Sequence, residues 1–248
     1  MPNSQPSNAS SHDIKIGLVL LSGDWQIIGM NELARQVVDP ARQSLGKNLL
    51  QLHPSGTREK VRGILKELSK PREGMSNTMI LDFLGKVLMI NLSRLTVMVP
   101  GGQASWAVTF LDVSEQTGAL PNRQGHLELK KLPIYENGVF HFLSVDQVYA
   151  IEADGNYCRI HTCGRVFYLL MSLKAVMERF ATADFFRVHK SFIVNLGHLT
   201  TIDTTSRNNP HVSFDAPTIP PVPVSRRLLT ALKKALAQRY RGDLAGNG

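Results

Sequence analysis

The chain has 248 residues, of which 43% are hydrophobic and 19% charged. Those values exclude wholesale disorder, a collagen-like repeat and a disulfide scaffold, and the length admits one or two domains of about 100–150 residues each. The net charge is +8, with 12 basic against 10 acidic residues up to Gly118 and 16 against 10 beyond it, so the excess is C-terminal. A basic part beside a near-neutral part suggests a polyanion-binding module next to one of another kind.

Only two cysteines occur, Cys158 and Cys163, and no apolar run approaches the ~18–20 residues of a membrane span. Both features fit a reducing compartment, and the protein is read as cytoplasmic with no membrane partner. Residues 1–13 lack a basic start and an apolar block, and read as a disordered tail rather than a signal peptide.

In chain order, Ile14–Leu21 and Trp25–Met30 read as two strands around the turn Ser22-Gly23-Asp24. Asn31 caps a short helix over Glu32–Val38, and a second helix runs from about Ser55 to Leu68 with Val61, Ile64, Leu65 and Leu68 at helical spacing. From Thr78 the period becomes two: Thr78–Leu84, Lys86–Val97 and Ser105–Val113 are strands separated by Gly85 and by Pro100-Gly101-Gly102. Two strands, small helices, then three strands is the order of a five-stranded antiparallel sheet with helices over one face. That order, with Gly29-Met30-Asn31-Glu32-Leu33-Ala34, Leu52-His53-Pro54 and Phe110-Leu111-Asp112-Val113-Ser114-Glu115, resembles a PAS sensor domain over residues 14–115.

Residues 116–131 carry Gly118, Pro121, Asn122 and Gly125, fit no period, and read as a linker. Strands follow at Val139–Leu143, Gln147–Ala153, Tyr157–Thr162 and Val166–Met171. A helix capped by Ser172 comes next, with Leu173, Val176, Met177 and Phe180 on one face, and further strands begin at Phe186. A last helix begins near Ser225, with Leu228, Leu229, Leu232 and Leu236 inward and Lys233, Lys234 and Arg239 outward. Residues 242–248 read as a tail.

Three segments of this half, Ile151-Glu152-Ala153-Asp154-Gly155-Asn156-Tyr157, Phe186-Arg187-Val188-His189-Lys190-Ser191-Phe192-Ile193-Val194-Asn195 and Val222-Pro223-Val224-Ser225-Arg226-Arg227, stand in the order of the LytTR DNA-binding domain, which residues 132–241 resemble. The resemblance implies a mainly β domain whose loops enter successive major grooves of promoter DNA, as two domains on a direct repeat, in a chain that is a homodimer. The fold class is therefore α+β.

Two arginines in the first turn of a helix sit unfavourably against the macrodipole by about 0.3–1 kcal/mol, which an anion compensates. A guanidinium there also suits guanine O6 and N7. By the resemblance Arg226 is base-contacting and Lys190 backbone-contacting, while Asn156, Tyr157 and Cys158 supply the other major-groove segment. Arg187 and Arg227 complete the DNA-binding set. Cys158 and Cys163 with His161 between them lack both a fourth ligand and the spacing of a zinc site, and read as structural thiols. Asn195 and Ser191 read as fold-determining, pairing backbone groups in a tight turn.

No nucleophile elbow, zincin helix, Walker loop or kinase signature occurs, so the chain reads as a non-enzyme. Within residues 14–115 there is no cysteine, which excludes cysteinyl-flavin photochemistry, and His53 is the single histidine. Its imidazole and the thioether of Met79 suit iron, with Met75, Met89 and Met98 as rivals; the alternative leaves both as core residues of a heme-free dimerisation or other-ligand module.

Taken with Leu49-Leu50-Gln51-Leu52-His53-Pro54, Arg58-Glu59-Lys60 and Lys86-Val87-Leu88-Met89-Ile90, the order of the two modules resembles the carbon-monoxide-responsive regulators of the RcoM type. The resemblance implies heme b held by His53 as proximal ligand and, when ferrous, by Met79 as the distal ligand that carbon monoxide displaces. It also implies activation of CO-oxidation genes. The family's ferric cysteine ligand has no counterpart between Lys70 and Thr78.

Overall fold

The computed structural model describes residues 16–38, 43–69, 78–83, 85–95, 105–121, 127–136, 139–180, 184–205 and 210–245. The first 13 residues, Met75, Met98 and the turn at 100–102 lie outside the described residues.

Strands β1 (Ile16–Leu21) and β2 (Ile27–Met30) form the expected hairpin, shortened because Trp25 takes a left-handed backbone (φ 69°) in the connection. Helix α1 (Glu32–Val38) starts where Asn31 Oδ1 accepts from Ala34 N at 2.9 Å; the same oxygen accepts from Leu18 N at 3.0 Å, which ties cap to sheet. The second helical segment is in two pieces, a 3₁₀ turn at Ser55–Thr57 followed by α2 (Arg58–Leu68). Strands β3 (Thr78–Phe83), β4 (Lys86–Leu95) and β5 (Ser105–Asp112) complete an antiparallel sheet of order β2-β1-β5-β4-β3.

Period-two alternation makes this sheet two-faced. Met79, Ile90, Phe110 and Gly17 form one rung on the helix-covered face, and Leu92, Val108 and Val19 the next. On the reverse face Ile80, Met89 and Leu111 form a rung that is buried in one cluster with Leu132, Ile134, Leu143 and Phe180 of the second half. Trp25 and Trp106, the chain's two tryptophans, stack with centroids 5.4 Å apart and planes at 19°.

The segment read as a linker is instead a packed connection. It contains the short helix α3 (Ser114–Thr117) and the strand pair β6 (Leu120–Pro121) and β7 (Leu127–Glu128), and it buries Leu127 and Leu129 in the shared core. Its polar composition hid two inward leucines, and residues 122–126 lie outside the described residues. A strand missed by the sequence reading, β8 (Lys131–Glu136), pairs with β9 (Val139–Ser144); Pro133 interrupts its pattern.

A 3₁₀ turn occupies Val145–Gln147, so β10 (Ala150–Asp154) starts later than expected. Then come β11 (Tyr157–Thr162), β12 (Arg165–Leu169) and α4 (Leu173–Arg179), whose Ser172 cap accepts from Ala175 N at 3.2 Å. With β13 (Phe185–His189) and β14 (Phe192–Asn195) the second sheet has the order β12-β11-β10-β14-β13.

A three-stranded sheet of β15 (Leu199–Asp203), β16 (His211–Phe214) and β17 (Val222–Pro223) packs under α5 (Arg226–Ala245) through Leu232, Val188 and Val224. The helix extends beyond residue 241, into what the sequence reads as tail. Arg239, expected to face solvent, is half-buried and pairs with Asp184. The folded chain is thus α+β and rich in strands.

Candidate functional site

Between the first sheet and its helices lies a cavity of about 600 Å³, well within the size class of sites for organic ligands and cofactors. The sheet contributes Met79, Ile90, Phe110, Leu92, Val108 and Val19; the opposite wall comes from α1, the 3₁₀ turn Leu49–Leu52, the His53-Pro54 step and α2. Apart from His53, Lys60 and the Met79 thioether, the lining side chains are hydrocarbon.

His53 follows the 3₁₀ turn, where Asn48 Oδ1 accepts from Leu50 N at 3.0 Å and His53 N donates to Leu50 O at 3.2 Å. Its half-buried ring lies with Nδ1 3.1 Å from Leu49 O, so Nδ1 carries the proton that it donates to that carbonyl. In the neutral imidazole this contact leaves the lone pair on Nε2, the nitrogen a metal would take, and the carbonyl fixes the ring's orientation. Arg58 Nε donates to His53 O at 3.0 Å, holding the peptide from the far side.

Met79 faces the cavity from the sheet and His53 from the helices, so the two sequence-chosen ligands line one space from opposite walls. Among the rival methionines, Met89 lies on the reverse face, 3% exposed in the shared core. Met75 and Met98 are outside the described residues.

The second constellation gathers three distant segments. Ala153 N donates to Ser191 O at 2.8 Å, setting the β10–β11 hairpin tip beside the turn at 189–191, and Ser225 N donates to Val188 O at 2.8 Å, setting the start of α5 beside the same turn. Asn156, Lys190, Arg226 and Arg227 are all exposed there. Gly155 permits the tight tip with φ 60°. Arg187 is exposed too, but its guanidinium donates to His189 O at 3.3 Å and Lys190 O at 2.8 Å, so it shapes the turn that presents Lys190.

Two members of the expected set are placed otherwise. Tyr157 and Cys158 are 2% and 1% exposed. Strand alternation is broken at this point because both faces of β11 are covered: Cys158 donates to Met171 O at 3.0 Å and burial pushes its thiol up to about 12, while Tyr157 packs with Leu50, Leu65, Leu68, Leu92 and Leu170. In this arrangement the segment offers Asn156, and the two neighbours are core.

Asn195 is 3% exposed, donating to Val145 O and Val148 O at 2.9 and 3.0 Å and accepting from Gly197 N at 2.9 Å, the fold-determining role its position suggested. Cys163 is exposed and His161 faces Glu152 at 3.1 Å; among the described residues no three His, Cys, Asp or Glu side chains could hold one metal ion.

Sequence reasoning missed the joint between these regions. Met79 makes a parallel bridge with Leu170, and Arg179 Nη1 donates to Ile80 O at 3.2 Å. Tyr157 shares its cluster with Leu65, Leu68 and Leu92, which also line the cavity. Contacts at such separation leave no local signal in the sequence. No helix among the described residues is long and apolar enough to cross a membrane.

The LytTr DNA-binding domain family matches residues 138–237. Along the whole chain three proteins are similar. The CO-responsive transcriptional regulator RcoM of Rhodospirillum rubrum is 29% identical over 89% of this chain and 94% of its own. The heme-containing CO-sensing transcriptional regulators RcoM 1 and RcoM 2 of Paraburkholderia xenovorans are 28% and 26% identical, each over 89% of this chain and 88% of theirs. A solved LytTr DNA-binding domain of a putative methyl-accepting/DNA response regulator from Bacillus cereus is 21% identical with a TM-score of 0.39, covering 43% of this chain and 96% of that one. Over 89% of its length the chain is accordingly similar to RcoM regulators, and its residues 138–237 match the LytTr DNA-binding domain family.

Proposed function

We propose that this chain is a one-component transcriptional regulator in the cytoplasm that holds heme b in an N-terminal PAS domain (residues 14–115), responds to carbon monoxide, and binds promoter DNA through residues 132–241. The observation that carries the reading is the apolar cavity of about 600 Å³ with an imidazole whose Nδ1 is already engaged by Leu49 O. A nitrogen and a thioether on opposing walls are a donor set that fits iron in a porphyrin, and the hydrocarbon lining fits the macrocycle. Lys60, exposed on the cavity wall, offers a cation to a ligand's carboxylates. The names of the similar regulators agree with this cofactor and gas.

When bound, heme would supply an iron atom able, once reduced, to take carbon monoxide. His53, oriented by Leu49 O and Arg58, would hold it from the helix side, and Met79 would offer the weaker, neutral thioether from the sheet. Its strand bridges Leu170 and lies next to Ile80, whose carbonyl Arg179 holds, so a shift of Met79 reaches the DNA-binding half through direct contact as well as along the connecting segment. To turn a mostly inactive population into a mostly active one, the gas must favour the active state by about 5.5 kcal/mol.

At the DNA, Arg226 reads a base while Lys190, Arg227 and Asn156 fix register on the backbone and groove, in a homodimer on direct repeats, activating CO-oxidation genes. An absorption spectrum of the reduced protein tests the sensor. A low-spin six-coordinate band that shifts on adding carbon monoxide, and that becomes five-coordinate before gas in Met79→Leu, is expected. Protein that stays colourless after expression with ample porphyrin ends the heme reading.

A further inference from the structure

Gly17 is the second residue of β1, directly opposite Phe110 of β5. A glycine in a strand interior weakens the strand, so its presence calls for a local reason. Its backbone is not the reason: the positive-φ glycines are Gly46, Gly85, Gly118, Gly155 and Gly164, and Gly17 is not among them. Space is the reason. A Cβ on Gly17 would stand 2.1 Å from Phe110 Cζ, 2.3 Å from Cε2 and 2.5 Å from Cε1, so the ring lies down on the glycine's bare backbone.

Phe110 is 5% exposed and lines the cavity between Ile90 and Gly17, on the rung that also holds Met79. Its ring is confined on one side by β1 and on the other by the cavity. A side chain at position 17 must therefore displace the ring, and the cavity that Phe110 lines is space into which it can move.

We propose that Gly17 is a specificity-determining position of the cavity: by letting Phe110 lie flat against β1 it keeps the sheet-side floor level and the cavity open to a broad planar ligand. The inference rests on the heme reading for the identity of that ligand, and on the cavity alone for its geometry. Gly17 acts through Phe110 and is a positioning residue. Cross-strand aromatic cover of a glycine also stabilises a sheet, so the test must separate ligand capacity from stability.

Hemin titration of the full chain, read by the Soret band per folded protein, compares wild type with Gly17→Ala, Gly17→Val, Phe110→Leu and the double variant Gly17→Val/Phe110→Leu, with circular dichroism to verify folding. The Gly17 single variants should bind hemin at least about tenfold more weakly, the scale of overpacking a site by one to three carbons. The double variant should recover to within about threefold of Phe110→Leu, because the displaced ring is gone. A merely structural glycine would lower the melting temperature without this recovery.

Folded Gly17→Val with wild-type affinity, or a folded double variant as weak as Gly17→Val, overturns the proposal. Should Gly17→Val fail to fold, Gly17→Ala against Gly17→Ala/Phe110→Leu gives the same decision. If wild type takes up no hemin, the heme reading fails and the pair is judged with 1-anilinonaphthalene-8-sulfonate. Dye binding that falls in Gly17→Val and returns in the double variant supports the floor role, and equal binding in all variants overturns it.

Discussion

The two halves of the molecule treat their interiors in opposite ways. The sheet of β1–β5 and its helices are built around a cavity of about 600 Å³, whereas a pocket between Leu132, Leu143, Ile151, Phe180 and Phe185 in the second half offers about 10 Å³, too small for more than a single water. A filled interior holds its shape from its own contacts. One built around a cavity takes part of its stability from whatever enters, because apolar walls gain dispersion contacts and lose water only when a ligand completes them. The contrast fits the proposed division, a receiving first half and a DNA-reading second half, with Met79–Leu170 and Tyr157 joining them.

The most direct way to break this contrast is to load one half and watch both. Hemin at a thousand times its dissociation constant should stabilise the first half by about 4 kcal/mol, and His53→Ala should abolish both that gain and retention of the Soret band through gel filtration. Equal stabilisation of His53→Ala, in a melt read with and without hemin, would refute an axial role for the imidazole. Asn195→Ala should do the converse. It strips two carbonyls and one amide of partners in the filled half, costs about 2–3 kcal/mol in urea denaturation, and leaves hemin affinity unchanged.

The reading surface sharpens the comparison at smaller scale. Arg226→Ala should lose about 1–3 kcal/mol of DNA affinity and relax preference at one base pair, measured by a mismatch series at fixed salt. A uniform loss with a shallower salt dependence would move Arg226 to phosphate contact.

The smallest effect is a pH dependence of the filled half. Burial holds His161 below the ordinary histidine value against the upward pull of the Glu152 carboxylate, so the folded state resists a proton that the unfolded chain accepts at about 6.5. Stability is therefore present above that pH and declines as pH falls below it, and His161→Gln should flatten the decline by no more than about 2 °C in melting temperature between pH 7 and 5.5.

What was legible in the sequence was local or repeated. Asn31 and Ser172 announce their helices because a cap is a three-residue signal, and His53 stood out as the single histidine within residues 14–115. The five strands of the first sheet followed from periodicity, whereas their order β2-β1-β5-β4-β3 rests on pairings distant in the chain. The candidate DNA-binding set came from three segments that only the fold brings together, and in that fold Asn156, Lys190, Arg226 and Arg227 are exposed. Tyr157 and Cys158 were misjudged because their covering residues, Leu50, Leu65 and Met171 among them, lie on other elements, some a hundred residues away. β8 was lost to Pro133, and the packed connection to a polar composition that concealed Leu127 and Leu129.

The stacked indoles have a practical use. Both tryptophans sit in the first half, Trp25 in the turn after β1 and Trp106 on β5, and both pack beside cavity-lining leucines. Tryptophan emission, excited at the red edge where the tyrosines of the second half do not absorb, therefore reports one half alone. A porphyrin in the cavity should darken it by energy transfer, and tracking that glow against far-ultraviolet ellipticity during denaturation separates the melting of receiver from reader without any label.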